Sequence, residues 1–150
     1  MNGMFFNSRA IRDLAKHVRI ADSIRDHNLD FVGISETGKR DFSASLLHRI
    51  SSGVDFAWIS RPPRGRSGCL LLGVRKDTMD VLSSSDGDFH VKLHIRNKID
   101  NFTWSLVTVY GAAQNEHKPD FLRELVNLAK QNPYPIIFFL EGTRLRTIAL

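Results

Sequence analysis

The hydrophobic and polar positions change period several times along the chain. From Ala10 to Asp26, apolar residues recur at Ile11, Leu14, Ala15, Val18, Ala21 and Ile24, with Arg12, Lys16, Arg19 and Arg25 largely off that face. This is helical spacing. Leu29–Ser35 predicts a short buried strand ending at Glu36. Asp41 predicts a cap for a helix carrying Phe42, Leu46, Leu47 and Ile50. Val54–Ser60 predicts a strand, and the unbroken apolar run Cys69–Val74 a strand buried on both faces. A weaker strand, Met79–Ser84, leads to a hairpin signal at Asp86-Gly87. Beyond it Phe89, Val91, Leu93 and Ile95 alternate with His90, Lys92, His94 and Arg96, the period of a half-exposed strand. FTWSLVTVYG predicts another strand, Phe121, Leu122, Leu125, Val126 and Leu128 a helix over Lys118–Lys130, and PIIFFL the last strand. Hairpin strands mixed with crossover helices indicate an α+β layered fold, not a doubly wound parallel sheet.

Composition narrows the classes. The 150 residues are 42% hydrophobic and 25% charged, values of a globular chain that buries a core. A net charge of +5 suits a polyanionic partner such as DNA without requiring one. The single Cys69 allows no intrachain disulfide, which favours a reducing, intracellular compartment, nucleus or cytoplasm. No apolar run approaches the ~20 residues of a membrane span. There is no dinucleotide loop, phosphate-binding GxxxxGK[ST] run, nucleophile elbow or zinc-finger spacing, so no small-molecule cofactor is indicated.

What remains chemically is a set of strand ends. Glu36, Tyr110 and Glu141 each follow a strand, and carboxylates converging there could hold Mg²⁺, a hard cation that takes oxygen ligands. The alternative is a solvated loop residue for each Glu, and for Tyr110 a sheet-rim residue with its hydroxyl in water. The loop RPPRGRSG carries Arg61, Arg64 and Arg66, which read equally as a phosphate grip or as a solvated basic loop. His90 and His94 share a strand face but are too far apart for a compact metal pair, and Cys69 reads as an inert buried thiol.

The stretches LDFVGISETGKRDFSASLLHRI, RPPRGRSG with CLLLGV, FHVKLHIRNKIDNFTWSLVTVYGAAQ and DFLRELVNLAKQNPYPI resemble the endonuclease/exonuclease/phosphatase superfamily. Within it they are most similar to the apurinic-endonuclease-like domain of LINE-type, non-LTR retrotransposons. The resemblance implies a four-layer α/β sandwich, incomplete here, with residues 1–137 as its N-terminal part and 138–150 as a divergent tail. It implies Mg²⁺-dependent hydrolysis of phosphodiesters in DNA. Glu36 in SET matches the metal-binding Glu of the family's QET. Tyr110 in VYGAA matches the Tyr near the scissile phosphate. Asn2 falls on the Asn of the opening WNxRG when MNGMFFNSRA is laid on without gaps, although the flanking Trp, Arg and Gly are absent. The family's GGDFN falls on FLEGT, so Glu141 stands for the Asp and Thr143 for the Asn. Glu is a methylene longer, and a base misplaced by about 1 Å costs ~10²-fold. With the family's C-terminal SDH segment also absent from these residues, the resemblance implies a truncated endonuclease domain with little activity and no productively held Mg²⁺. The alternative is a basic nucleic-acid-binding module without catalysis. A partial sandwich is further expected to leave Leu70, Leu72, Leu106, Val107 and Ile137 incompletely covered.

Overall fold

The computed structural model describes residues 1–39, 41–62, 69–109 and 118–140. Eleven elements follow one another along them: β1 Gly3–Asn7, α1 Leu14–Asp26, β2 Phe31–Ser35, α2 Ala44–Ile50, β3 Phe56–Arg61, β4 Leu70–Arg75, β5 Met79–Asp86, β6 His90–Asn97, β7 Thr103–Val109, α3 Lys118–Gln131 and β8 Ile136–Leu140. They build two four-stranded mixed sheets, ordered β1-β2-β4-β3 and β5-β6-β7-β8. Each sheet has one parallel pair, β1–β2 and β7–β8, and antiparallel pairs elsewhere. A parallel pair needs a crossover, and α1 and α3 supply the two.

The α+β expectation holds, with local differences. Strand β1 is missed by the period analysis because GMFFN is short and opens on Gly. Helix α1 begins at Leu14 rather than Ala10, and Asp13 caps it by accepting from the Ala15 N–H at 2.9 Å. Ser43, not Asp41, caps α2, accepting from the Leu46 N–H. The buried face of α1 is His17, Ile20 and Ile24, whereas Leu14 and Val18 face outward. The His17 ring turns inward because its Nε2 lies 2.7 Å from the Ile11 carbonyl oxygen.

The sheets pack face to face through aromatic rings. Phe139 of β8 meets Phe5 at 5.3 Å and Phe31 at 5.4 Å between centroids, and Phe31 meets Trp104 at 5.9 Å. Gly33 permits this approach: a Cβ there would stand 2.5 Å from the Phe5 ring. The coverage expected to be lacking is present. Leu70, Leu72, Leu106 and Val107 are at most 2% exposed, and Ile137 is half-buried. The two sheets close on each other, and Val107 points the other way, into a cluster with Val109 and Leu128 of α3. Phe138–Leu140, read from the sequence as the start of a tail, are the last three residues of β8, and Phe139 is fully buried.

Candidate active site at the strand ends

Register places one end of every strand on a common rim. In the first sheet Asn7 pairs with Ser35, Ser35 with Leu70, and Leu70 with Arg61. In the second, Asp86 pairs with Val91, His90 with Val109, and Val109 with Leu140. Arg61 joins the two rows. Its Nε lies 3.4 Å from Asp86 Oδ2, and its Nη2 donates to the Gly87 carbonyl at 3.2 Å. The Arg61 side chain is 6% exposed, so it bridges the sheets and does not reach into solvent as a phosphate grip would. Asp86 is too distant in sequence for the RPPRGRSG loop to reveal this partner.

Glu36 stands on this rim directly after β2, exposed and at φ +51°. Its peptide is held from the β1 side: its carbonyl accepts from the Ala10 N–H at 2.7 Å and from Ser8 Oγ at 3.1 Å. On the β4 side, the Thr37 N–H donates to the Cys69 carbonyl at 3.4 Å. Arg9 and Ala10 also have positive φ, at 43° and 76°. A non-glycine residue in that region costs about 1–3 kcal/mol and persists only where neighbours over-determine it. The other non-glycine residues with positive φ among those described, Asn28, Ser52 and Asn101, stand in separate turns. Strain is therefore gathered around Glu36.

The sequence-assigned residues separate. Asn2 is about 17 Å down β1 from the rim, five residues at ~3.3 Å each. There its N–H donates to Asp30 Oδ2 at 2.8 Å and its Nδ2 to the His27 carbonyl at 3.1 Å. Asp30 also accepts from Thr78 Oγ1 at 3.1 Å, so this is a staple at the far end of the sandwich. The asparagine that register brings beside Ser35 and Glu36 is Asn7, whose Oδ1 accepts from the Arg9 N–H at 3.2 Å. In that register FNSRA sets an aromatic, Asn7, Arg9 and Ala10 against W, N, R and G. The aromatic-Asn-x-Arg run was the signal for it. Val109 and Leu140 bring the chain to the rim, and Tyr110 and Glu141 come next in sequence. Tyr110, Glu141, Arg64 and Arg66 lie outside the described residues.

On the second-sheet side the rim is held by α3. Glu124 accepts from the Asp88 N–H at 3.2 Å, from the Phe89 N–H at 3.0 Å, and pairs with His90 Nδ1. His90 is thus buried at the hairpin tip and is not a surface histidine. Cys69 is a buried free thiol, as expected.

Among the described residues no three His, Cys, Asp or Glu side chains gather into a metal-holding group. At the end of the first sheet they offer an exposed carboxylate, Glu36, with the amide side chain of Asn7 one strand away. Mg²⁺ uses one or two carboxylates together with waters and substrate phosphates, so this donor set fits part of its needs. No helix among the described residues is long and apolar enough to cross a membrane.

Solved structures share this architecture. The human Nocturnin catalytic domain, solved with a bound sulfate anion, superposes with a TM-score of 0.67 at 15% identity over 94% of this chain and 63% of its own. D. rerio TDP2 in complex with a single-strand DNA product gives 0.66 at 14% identity, covering 93% of this chain and 58% of its own. A mannosyl-6-phosphatase of Bacteroides thetaiotaomicron gives 0.63 at 14% identity, covering 94% and 64%. The chain thus spans less than two thirds of each of the three. No curated protein sequence matches it. The sequence profile of the Endonuclease/Exonuclease/phosphatase family matches residues 2–139. The strand-end rim with Glu36 at its centre thus sits in a chain that belongs to the endonuclease/exonuclease/phosphatase family.

Proposed function

We propose that this chain is a DNA-directed, divalent-metal-dependent phosphodiesterase domain of the retrotransposon type, whose first-sheet half-site is intact and whose turnover is impaired. The observation that carries the reading is Glu36, an exposed acid held at a strained φ by Ser8 and Ala10 beside Asn7. Such strain marks sites where a group must point one way. Glu36 would hold the cation, with Asn7 turned to the same phosphate. The cation would supply charge stabilisation to a phosphoryl oxygen. Tyr110 follows β7 toward the same rim in sequence. The impairment rests on Glu141 and Thr143, which stand where the family has Asp and Asn. The retrotransposon assignment rests on GRSG and VYG in their sequence context.

Two measurements test this. Titrating Mn²⁺ against the labelled chain should broaden the amide signals of Asn7 and Thr37 selectively, and Glu36→Gln should abolish the effect. Uniform or absent broadening removes Glu36 as a ligand. Nicking of supercoiled plasmid with Mg²⁺ should stay near background. Robust nicking that vanishes in Glu36→Ala would show the domain to be fully active.

A second reading, nucleic-acid binding without catalysis, is favoured by the net charge of +5. Its mark is DNA affinity that falls by roughly 0.9 log units per phosphate contact for each log unit of salt. Arg61 would contribute nothing to that slope, being engaged with Asp86.

A further inference from the structure

Lys16 lies in the first turns of α1, and its ammonium donates to three consecutive backbone carbonyls: Ser8 at 2.6 Å, Arg9 at 3.1 Å and Ala10 at 3.0 Å. Consecutive carbonyls rarely converge on one point. Here they do so because Arg9 and Ala10 both take positive φ. Three carbonyl dipoles aimed inward repel one another unless a cation sits among them. A lysine ammonium fits such a convergence because it is a compact charge with three donors, whereas arginine presents a flat fork. Charge-assisted bonds of this kind are roughly twice as strong as neutral ones.

The loop so curled is the one that holds the acid. Ser8 N–H donates to the Ser35 carbonyl at 3.1 Å, Ala10 N–H to Glu36, and Ile11 N–H to Thr37 at 2.9 Å. Ser8 Oγ reaches both the Ser35 and Glu36 carbonyls. Without the curl these donors no longer line up on residues 35–37, and nothing on the β1 side keeps Glu36 at φ +51°.

We propose that Lys16 is a positioning residue: its ammonium is a clasp that sets the loop after β1 and, through it, the direction of the Glu36 carboxylate. The functional half of this statement rests on Glu36 being the cation ligand. The structural half does not.

Amide hydrogen exchange, Mn²⁺ titration and chemical rescue test it together. Lys16→Met keeps the stem and removes the charge. It should speed exchange at Ser8, Ala10 and Ile11 by about tenfold or more, the factor for one hydrogen bond's worth of stabilisation, and leave β3 and β4 unchanged. Its affinity for Mn²⁺ should fall by about 10–100-fold, as when a group orienting a metal ligand is lost. In Lys16→Ala, added methylammonium should restore protection at Ala10 and Ile11, and tetramethylammonium, which has no N–H, should not. The clasp is overturned if Lys16→Met leaves these amides protected, if exchange rises uniformly across the sheet, or if methylammonium restores nothing. If the unmodified chain shows no local Mn²⁺ effect, the phosphodiesterase reading fails while the exchange arms still decide the clasp.

Discussion

Helix α1 crosses between β1 and β2, and helix α3 crosses between β7 and β8, each laid on the outer face of its own sheet. Their fastenings differ in kind. Beneath α1 and α2 lies a broad apolar cluster that includes Ile20, Ile24, Val32, Ile34, Leu46 and Ile50. Beneath α3 the buried members among the described residues are Val107, Val109 and Leu128, with Phe121, Leu125 and Ile136 partly buried against them and Leu122 and Val126 turned outward. Polar contacts complete the second layer. Glu124 grips the β5–β6 hairpin tip, and Asn132, just past α3, donates to Ser105 Oγ, which in turn meets His94 Nδ1 at 2.8 Å. The same topology is thus held by transfer of hydrocarbon from water on one side and by directional bonds on the other. The first should yield to cavities, and the second to lost charges and to pH.

Cavities give the largest expected effects. Ile24 is fully buried, so Ile24→Ala should cost about 2–5 kcal/mol. Leu128→Ala should fall at the low end of that range, because the site is slightly exposed and its cluster small enough to collapse. Urea unfolding with unchanged slope would measure both. A Leu128→Ala loss equal to that of Ile24→Ala would mean that α3 is fastened apolarly after all.

Next comes Glu124→Ala, which removes three partners of the hairpin tip. The expected loss is about 1–3 kcal/mol, since each such bond contributes ~1 kcal/mol net. Exchange at Asp88 and Phe89 should rise in the variant while amides under α1 hold. Equal loosening under both helices would dissolve the distinction between them.

How far these features can be read from sequence follows the same division. The apolar half is legible: unbroken runs mark β4 and the last strand, and alternation marks β6. The face of α1 is misread, because counting apolar residues admits Leu14 and Val18 and ignores His17, which a backbone carbonyl draws inward. Of the site, Glu36 is legible as an acid at a strand end. Its companion Asn7 is lost to a gapless overlay started from Met1. The strained rim is invisible, since Arg9, Ala10 and Glu36 are not residue types that advertise positive φ. Long-range polar partners such as Asp86 for Arg61 leave no local trace at all.

A smaller effect is expected where strain meets the wrong residue. Ala10 sits at φ +76°, a region that costs an L-residue about 1–2 kcal/mol and glycine nothing. Ala10→Gly gives back roughly 0.5–1 kcal/mol of this through the freer unfolded chain. The net gain should be about 0.5–1 kcal/mol, read as a rise in thermal midpoint. A loss instead would show that the Ala10 methyl makes packing worth more than the strain, and Gly38, whose Cβ would come within 3.2 Å of that methyl, is where to look.

The smallest effect is the pH dependence that separates the two layers. Burial lowers the pKa of His94 below its ordinary 6.5, and the nearby Lys92 lowers it further. In the fold the neutral ring is favoured, bonded to Ser105 and set edge-on to Tyr134 at 5.1 Å. The unfolded chain therefore takes up this proton first as pH falls. Stability from His94 is complete above 6.5, is lost as pH drops from there toward the lowered folded value, and levels off below it. His94→Asn should flatten the stability profile from pH 6.5 down toward the lowered folded value of His94, while the carboxylate titration is kept. Exchange at two pH values locates the loss: it should appear at β6, β7 and Asn132 and spare the amides beneath α1. An unchanged profile in His94→Asn would remove the titrating group from the second layer, leaving its polar fastening without the pH sensitivity that distinguishes it from the first.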